Sequence, residues 1–140
     1  VEVHYYRRVD YKTPAEFINK NLLPGEKVFS TIVPVAFYLK KMDVIYLNKD
    51  HPDFMGVLTE DGVREIWTGS KLIYDFDEFI RKIADEAPTG IWLLIRSPSC
   101  PRVKPEEVNL FKRFKESEVF TSLDGRVKVL NIHFKTQPRI

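Results

Sequence analysis

Cysteine is almost missing from this chain. The lone Cys100 excludes an intramolecular disulfide and a cysteine-rich zinc site. Histidine is nearly as scarce: His4, His51 and His133 lie far apart. Metal sites need clustered ligands, and His51-Pro52-Asp53 offers at most two on a loop that Pro52 stiffens, so no metal site is assigned. Only six glycines are present. Thr68-Gly69-Ser70-Lys71 has the wrong order for a phosphate loop and lacks the preceding glycine, so it reads as a turn. No run of about 18 apolar residues occurs, which excludes a bilayer-spanning helix within the chain. The longest apolar stretches are Ile32–Leu39, broken by Pro34, and Ile91–Ile95. No basic-apolar-small signal peptide opens the chain. An excess of one charge is missing too. Lys+Arg number 22 and Asp+Glu 20, a net of +2. A dedicated nucleic-acid binder would show a strongly basic face, so no nucleic-acid partner is expected.

What is present is an ordinary globular composition, 44% hydrophobic and 30% charged over 140 residues. A chain of this length buries about two thirds of its unfolded surface and needs no covalent staple. Residues 1–10 read as an N-terminal arm, 11–135 as a single α/β domain and 136–140 as a tail. Three helices are legible from caps and spacing. The first has Thr13 as N-cap, Pro14 in its first turn and Glu16 completing a capping box. The second starts at Asp75 and carries Phe76, Phe79, Ile80, Ile83, Ala84 and Ala87 at helical spacing. The third starts near Pro105, with Glu106 and Glu107 first and Lys112, Arg113 and Lys115 last, matching the helix dipole.

Val28–Val33, Val44–Leu47 and Ile91–Ile95 are apolar on both faces. Such strands belong in the middle of a sheet covered on both sides. Leu72–Tyr74 reads as a short strand of the same kind, and Pro34–Lys41 as a short linking helix. Asp124-Gly125 predicts a two-residue turn closing a C-terminal hairpin, Glu118–Leu123 with Val127–Phe134. Val129 and Leu130 are adjacent apolar residues, which predicts a bulge in the last strand. Asp61-Gly62 predicts a second hairpin. The expected fold is α/β: a three-layer α/β/α sandwich of Rossmann-like alternation, with a mostly parallel central sheet and a C-terminal antiparallel hairpin.

Catalytic patterns are sparse, and no catalytic residue is assigned. Asp75, Asp77, Glu78, Asp85 and Glu86 read as a cap plus a solvated face. Cys100 lies in Arg96-Ser97-Pro98-Ser99-Cys100-Pro101-Arg102, just past a central strand, where open α/β sheets place ligands. Arginines nearby favour a thiolate. Cysteine phosphatases, however, need arginine six positions after the cysteine, where this chain has Glu106. Two prolines also remove amide donors from the loop. Arg96, Ser97, Ser99, Cys100 and Arg102 are therefore candidate ligand-binding residues, not catalytic ones. No cofactor is implied. At the start, Tyr5, Tyr6, Arg7 and Arg8 have the aromatic-basic character of a membrane-proximal segment, and equally of a frayed arm.

One longer pattern stands out. It runs through 9–18, Val-Asp-Tyr-Lys-Thr-Pro-Ala-Glu-Phe-Ile, and then Asn21-Leu22-Leu23-Pro24-Gly25-Glu26-Lys27-Val28-Phe29-Ser30-Thr31. Val35–Leu39, Asp43–Leu47, Trp67-Thr68-Gly69, Leu72–Tyr74 and Ile91–Ile95 continue it. This order, over roughly residues 5 to 134, resembles the soluble C-terminal domain of multispanning membrane glycosyltransferases of the GT-C type. These are the enzymes related to protein mannosyltransferases and aminoarabinose transferases. The resemblance implies a non-catalytic extracytoplasmic accessory domain of an enzyme that uses a lipid-phosphate-linked sugar donor. Catalysis would then belong to a membrane part outside this chain. Its partners would be that transmembrane portion and the lipid-linked sugar or the acceptor. A start at Val1 instead of Met agrees with a domain cut from a longer protein. The alternatives are a stand-alone α/β ligand-binding or interaction module and a small enzyme using Cys100 or the acidic residues at a sheet edge.

Overall fold

A computed structural model of the chain describes residues 9–50, 56–60, 62–101 and 103–133. Among them lie α1 (Lys12–Asn21), β1 (Lys27–Ser30), β2 (Val44–Tyr46), β3 (Gly56–Thr59), β4 (Gly62–Glu65) and β5 (Lys71–Ile73). Then follow α2 (Phe76–Glu86), β6 (Ile91–Arg96), α3 (Pro105–Phe114), β7 (Glu118–Thr121) and β8 (Val127–Ile132). Short 3₁₀ turns occupy Pro34–Tyr38 and Lys115–Ser117. Among the described residues no helix is long and apolar enough to cross a membrane.

The protein is a mixed α/β fold on one sheet of eight strands, ordered β3-β4-β5-β2-β1-β6-β8-β7. The four central strands, β5, β2, β1 and β6, pair in parallel. Both flanks are antiparallel. Alternation along each strand divides the core. Phe29, Val44, Tyr46, Leu93 and Ile95 pack with Phe79 and Ile83 of α2 and Leu110 of α3. Val28, Trp92, Leu94, Val127 and Val129 pack with Ala15 and Ile18 of α1 on the other face. Strands β1 and β6 meet apolar side chains on both faces, which is why their sequences are continuously apolar.

One helix start differs from expectation and one agrees. Asp75 caps α2 as expected, accepting the Asp77 amide at 3.0 Å. The first helix instead begins ahead of Thr13, and Tyr11 at its N-cap position makes no side-chain cap. Asp10 takes over, accepting the Thr13 amide at 3.0 Å and the Thr13 hydroxyl. A carboxylate has more acceptor capacity than a hydroxyl, so the threonine becomes the donor.

The C-terminal strands correct two expectations. Every β8 residue from Val127 to Ile132 pairs one-for-one with β6, so the last strand has no bulge opposite β6. Val129 and Leu130 are both apolar because the strand is buried on both faces. The irregularity falls in β7, between Glu118 and Phe120. The β7–β8 connection also exceeds two residues. Ser122 Oγ accepts the amides of Arg126 and Val127, while Asp124 accepts the Ser122 hydroxyl and the Arg126 amide. These side chains stand in for the backbone ladder of a tighter turn.

Asp10 also ties the start of α1 to this turn. Its amide donates to Asp124 at 2.8 Å, and its carboxylate accepts the Leu123 amide at 3.1 Å. Burial and the nearby Asp124 carboxylate work against the charge on Asp10, but the bonds from Thr13 and the Leu123 amide outweigh them and hold the carboxyl below its usual value. The lowered value means the anchor's contribution is present at neutral pH and is lost as pH falls below the carboxylate range near 4. Asp10→Asn is expected to flatten the acid limb of a stability-against-pH curve. An unchanged acid limb would contradict the anchor.

Gly90 opens β6 at φ +103°, and a Cβ there would lie 2.8 Å from Glu26 Oε2 and 3.1 Å from its Cγ. Glu26 cannot move away easily, because it accepts the Trp92 indole N–H and the Leu23 amide, both at 2.8 Å. Gly90→Ala should therefore lower the unfolding free energy by about 1–3 kcal/mol. Urea unfolding followed by Trp92 emission measures it; an unchanged midpoint would refute the constraint.

Candidate functional site

The chain builds outward from β1 through β2 to β5, then returns over α2 to place β6 on the other side of β1. The first step runs over the α1 face and the return over the α2 face. Where windings diverge, the loops leave a crevice at the carboxyl ends of the strands. A cleft of about 230 Å³ occupies that place, lined by Thr31 after β1, Tyr46, Asn48 and Asp50 at and beyond the end of β2, Arg96 ending β6, and Lys104, Glu106 and Glu107 at the start of α3.

Glu107 forms the floor. It is 2% exposed. Its carboxylate accepts the Thr31 hydroxyl, the Arg96 amide at 3.1 Å and the Lys104 amide at 3.2 Å. The Arg96 guanidinium lies 3.3 Å away as its ion-pair partner. A buried charge is tolerable only when it is paired and hydrogen-bonded in this way. Every one of these donors is spent on structure, so Glu107 is not placed as a free general base.

The wall is different. Burial, followed by the Glu106 carboxylate, pushes the Tyr46 hydroxyl up to about 12. At neutral pH it is therefore a hydrogen-bond donor and not a nucleophile. Asn48 donates to Glu106 across 3.3 Å. Beside it, the Lys49 ammonium covers the Tyr74 ring, 4.4 Å from its centroid. Donors and acceptors thus alternate around the opening: a phenol, an amide, the carboxylates of Asp50 and Glu106, and the Lys104 ammonium. Such a surface matches a ligand rich in hydroxyl groups. A free anion matches it poorly, because Glu106 and Glu107 already occupy the first turn of α3.

Of the loop residues predicted from sequence, Arg96 alone among the described ones lines the cleft. Ser97 is buried beside it, 3.0 Å from the Ser99 hydroxyl, and its amide donates to Arg126. Cys100 is half-buried, and its amide closes a turn onto the Ser97 carbonyl. This arrangement reads as a rigid connection. Arg102 lies outside the described residues, as do Tyr5, Tyr6, Arg7, Arg8, His51 and Asp53. Among the described residues no three His, Cys, Asp or Glu side chains converge for a metal ion. Sequence reasoning missed Thr31, Tyr46, Asn48, Asp50, Glu106 and Glu107. The one local signal was the polar alternation Tyr46, Asn48, Asp50 following an apolar strand. The contact of Thr31 with Glu107 spans 76 positions and left no such trace.

No protein-family model matches the chain, and neither curated proteins nor solved structures yield a match. The cleft must therefore be judged on its own chemistry. Glu107→Ala would leave the half-buried Arg96 without its partner and the Thr31 hydroxyl without its acceptor, a loss expected at about 2–4 kcal/mol. Glu107→Gln keeps an acceptor for the Lys104 amide and should cost less. Denaturant unfolding of both variants measures this, and a loss below about 1 kcal/mol for the alanine variant would contradict the role.

Proposed function

We propose that this chain is a non-catalytic extracytoplasmic accessory domain of a membrane glycosyltransferase that uses a lipid-phosphate-linked sugar. In this reading the fold is a three-layer α/β/α sandwich with a C-terminal antiparallel hairpin. The order of elements and the residues from Val9 to Ile95 that resemble such domains support it. One structural observation carries it further: the cleft and the start of α1 share one edge of the sheet. Asp10 is bonded to the β7–β8 turn, and that turn joins the end of β6 through the Ser97 amide and the Arg126 carbonyl. Arg96, the last residue of β6, lines the cleft. A membrane part preceding the domain would then lie on the side of the cleft. A glycosyl group presented there would meet Tyr46, Asn48, Asp50, Glu106 and Lys104.

The chemistry fits binding better than turnover. Tyr46 is held protonated and the Glu107 carboxylate is saturated. The same cleft also suits a stand-alone α/β ligand-binding module.

Two measurements separate the readings. The purified chain, given a lipid-linked sugar donor, is expected to transfer nothing; turnover by the chain alone would overturn the proposal. Reading the gene upstream of the Val1 codon is expected to show a series of long apolar segments. A start codon immediately before Val1 would leave the stand-alone module, whose melting temperature should then rise with a soluble ligand.

A further inference from the structure

The opposite edge of the sheet carries a second hollow, larger and of different character. Its volume is about 640 Å³, within the usual range of about 300–1,000 Å³ for ligand pockets. It has a physical origin. On this face α1 covers β1, β6 and β8, whereas the chain between β1 and β2 forms only a five-residue 3₁₀ turn. Beside it Ile45, Leu47 and Leu72 form a small separate cluster, with Val33, Met42 and Val63 packed against it. The space left between the 3₁₀ turn and the β4–β5 turn is the hollow.

Its walls include Phe37, Leu39, Met42 and Trp67. Phe37 is 87% exposed and Trp67 73%, beside Ile66 at 52%. Single exposed apolar residues are common, but large aromatics flanking one hollow mark a binding surface. Among the described residues the charged groups in its lining are Lys40 and Lys41, and no carboxylate joins them. Lys40 is exposed. Lys41 is anchored at the rim by Asp43 at 3.4 Å and by the Glu26 carbonyl. Glu65, buried under the β4–β5 turn, accepts the amides of Trp67 at 3.0 Å and Thr68 at 2.8 Å through one oxygen, and its other oxygen is buried without a hydrogen-bond partner among the described residues.

We infer that this hollow binds an anionic amphiphile: one apolar chain or ring bearing a single phosphate, sulfonate or carboxylate headgroup. The apolar body lies between Phe37 and Trp67, and the headgroup meets Lys40 at the rim. This site is independent of the cleft and of the reading proposed for it.

The chain has two tryptophans. Trp92 is 4% exposed and bonded to Glu26, so emission changes on binding report Trp67. Octyl phosphate, octyl glucoside and octyltrimethylammonium, each below its micelle concentration, share one chain and differ in headgroup charge. Octyl phosphate is expected to give a saturable blue shift, binding about two- to fivefold tighter than the glucoside, as suits an exposed ion pair. The ammonium should bind most weakly. Trp67→Phe should remove the optical signal, and Lys40→Glu should reverse the headgroup order without altering the melting temperature. No saturable shift, or equal binding of all three, overturns the inference. It also falls if the ligand-free chain sediments as a dimer with Trp67 shielded from acrylamide, since a second copy would then be the occupant.

Discussion

One carboxylate holds the cleft together. Glu107 accepts from Thr31 after β1, from Arg96 ending β6 and from Lys104 at the head of α3. Desolvating it is costly, and only the full set of donors offsets that cost. Each donor is therefore fixed by the same group. The loop after β1, the end of β6 and the start of α3 cannot shift independently. That shared constraint leaves Tyr46, Asn48 and Glu106 around a defined opening.

The second constraint is at the other end of the parallel strands. Glu26 receives the Trp92 indole and the Leu23 amide, and Gly90 leaves the room it needs. Lys41 reaches the Glu26 carbonyl and Asp43, while Asp43 accepts the Val28 amide at 2.8 Å. One edge of the sheet is thus braced by a buried acid with backbone and indole donors. The other is braced by a buried acid with a guanidinium. Because both braces sit at strand ends, the middle of the sheet is left to apolar packing. The polar chemistry is pushed to the two rims, and each rim carries a hollow of its own character. The cleft is polar because crossing loops meet there; the other hollow is apolar because Phe37, Leu39, Met42 and Trp67 wall it.

Much of the architecture was legible. Continuous apolar runs marked the central strands, since burial on both faces removes alternation. Asp75 and the stripe through Phe79 and Ile83 marked α2, because caps and helical spacing are local. The errors were also local in origin. Thr13 was taken as a cap because its neighbours fit a capping box, yet Asp10, three residues earlier, is the stronger acceptor. The adjacent Val129 and Leu130 suggested a bulge, where the strand simply has two buried faces. Of the candidates Arg96, Ser97, Ser99 and Cys100 in the loop after β6, Arg96 lines the cleft, and its partner Glu107 lies eleven positions on in a helix.

The sequence by itself determined the α/β alternation, the parallel core strands and the helix of residues 76–86. These follow from periodicity, caps and short-range chemistry, all of which act within a few residues. Only the tertiary structure decided which side chains share the cleft and which aromatics stay in water. Thr31, Tyr46, Arg96 and Glu107 belong to four different segments, and strand order alone brings them together. Phe37 and Trp67 look like core residues in sequence. They are 87% and 73% exposed, and exposure is a property of the whole fold.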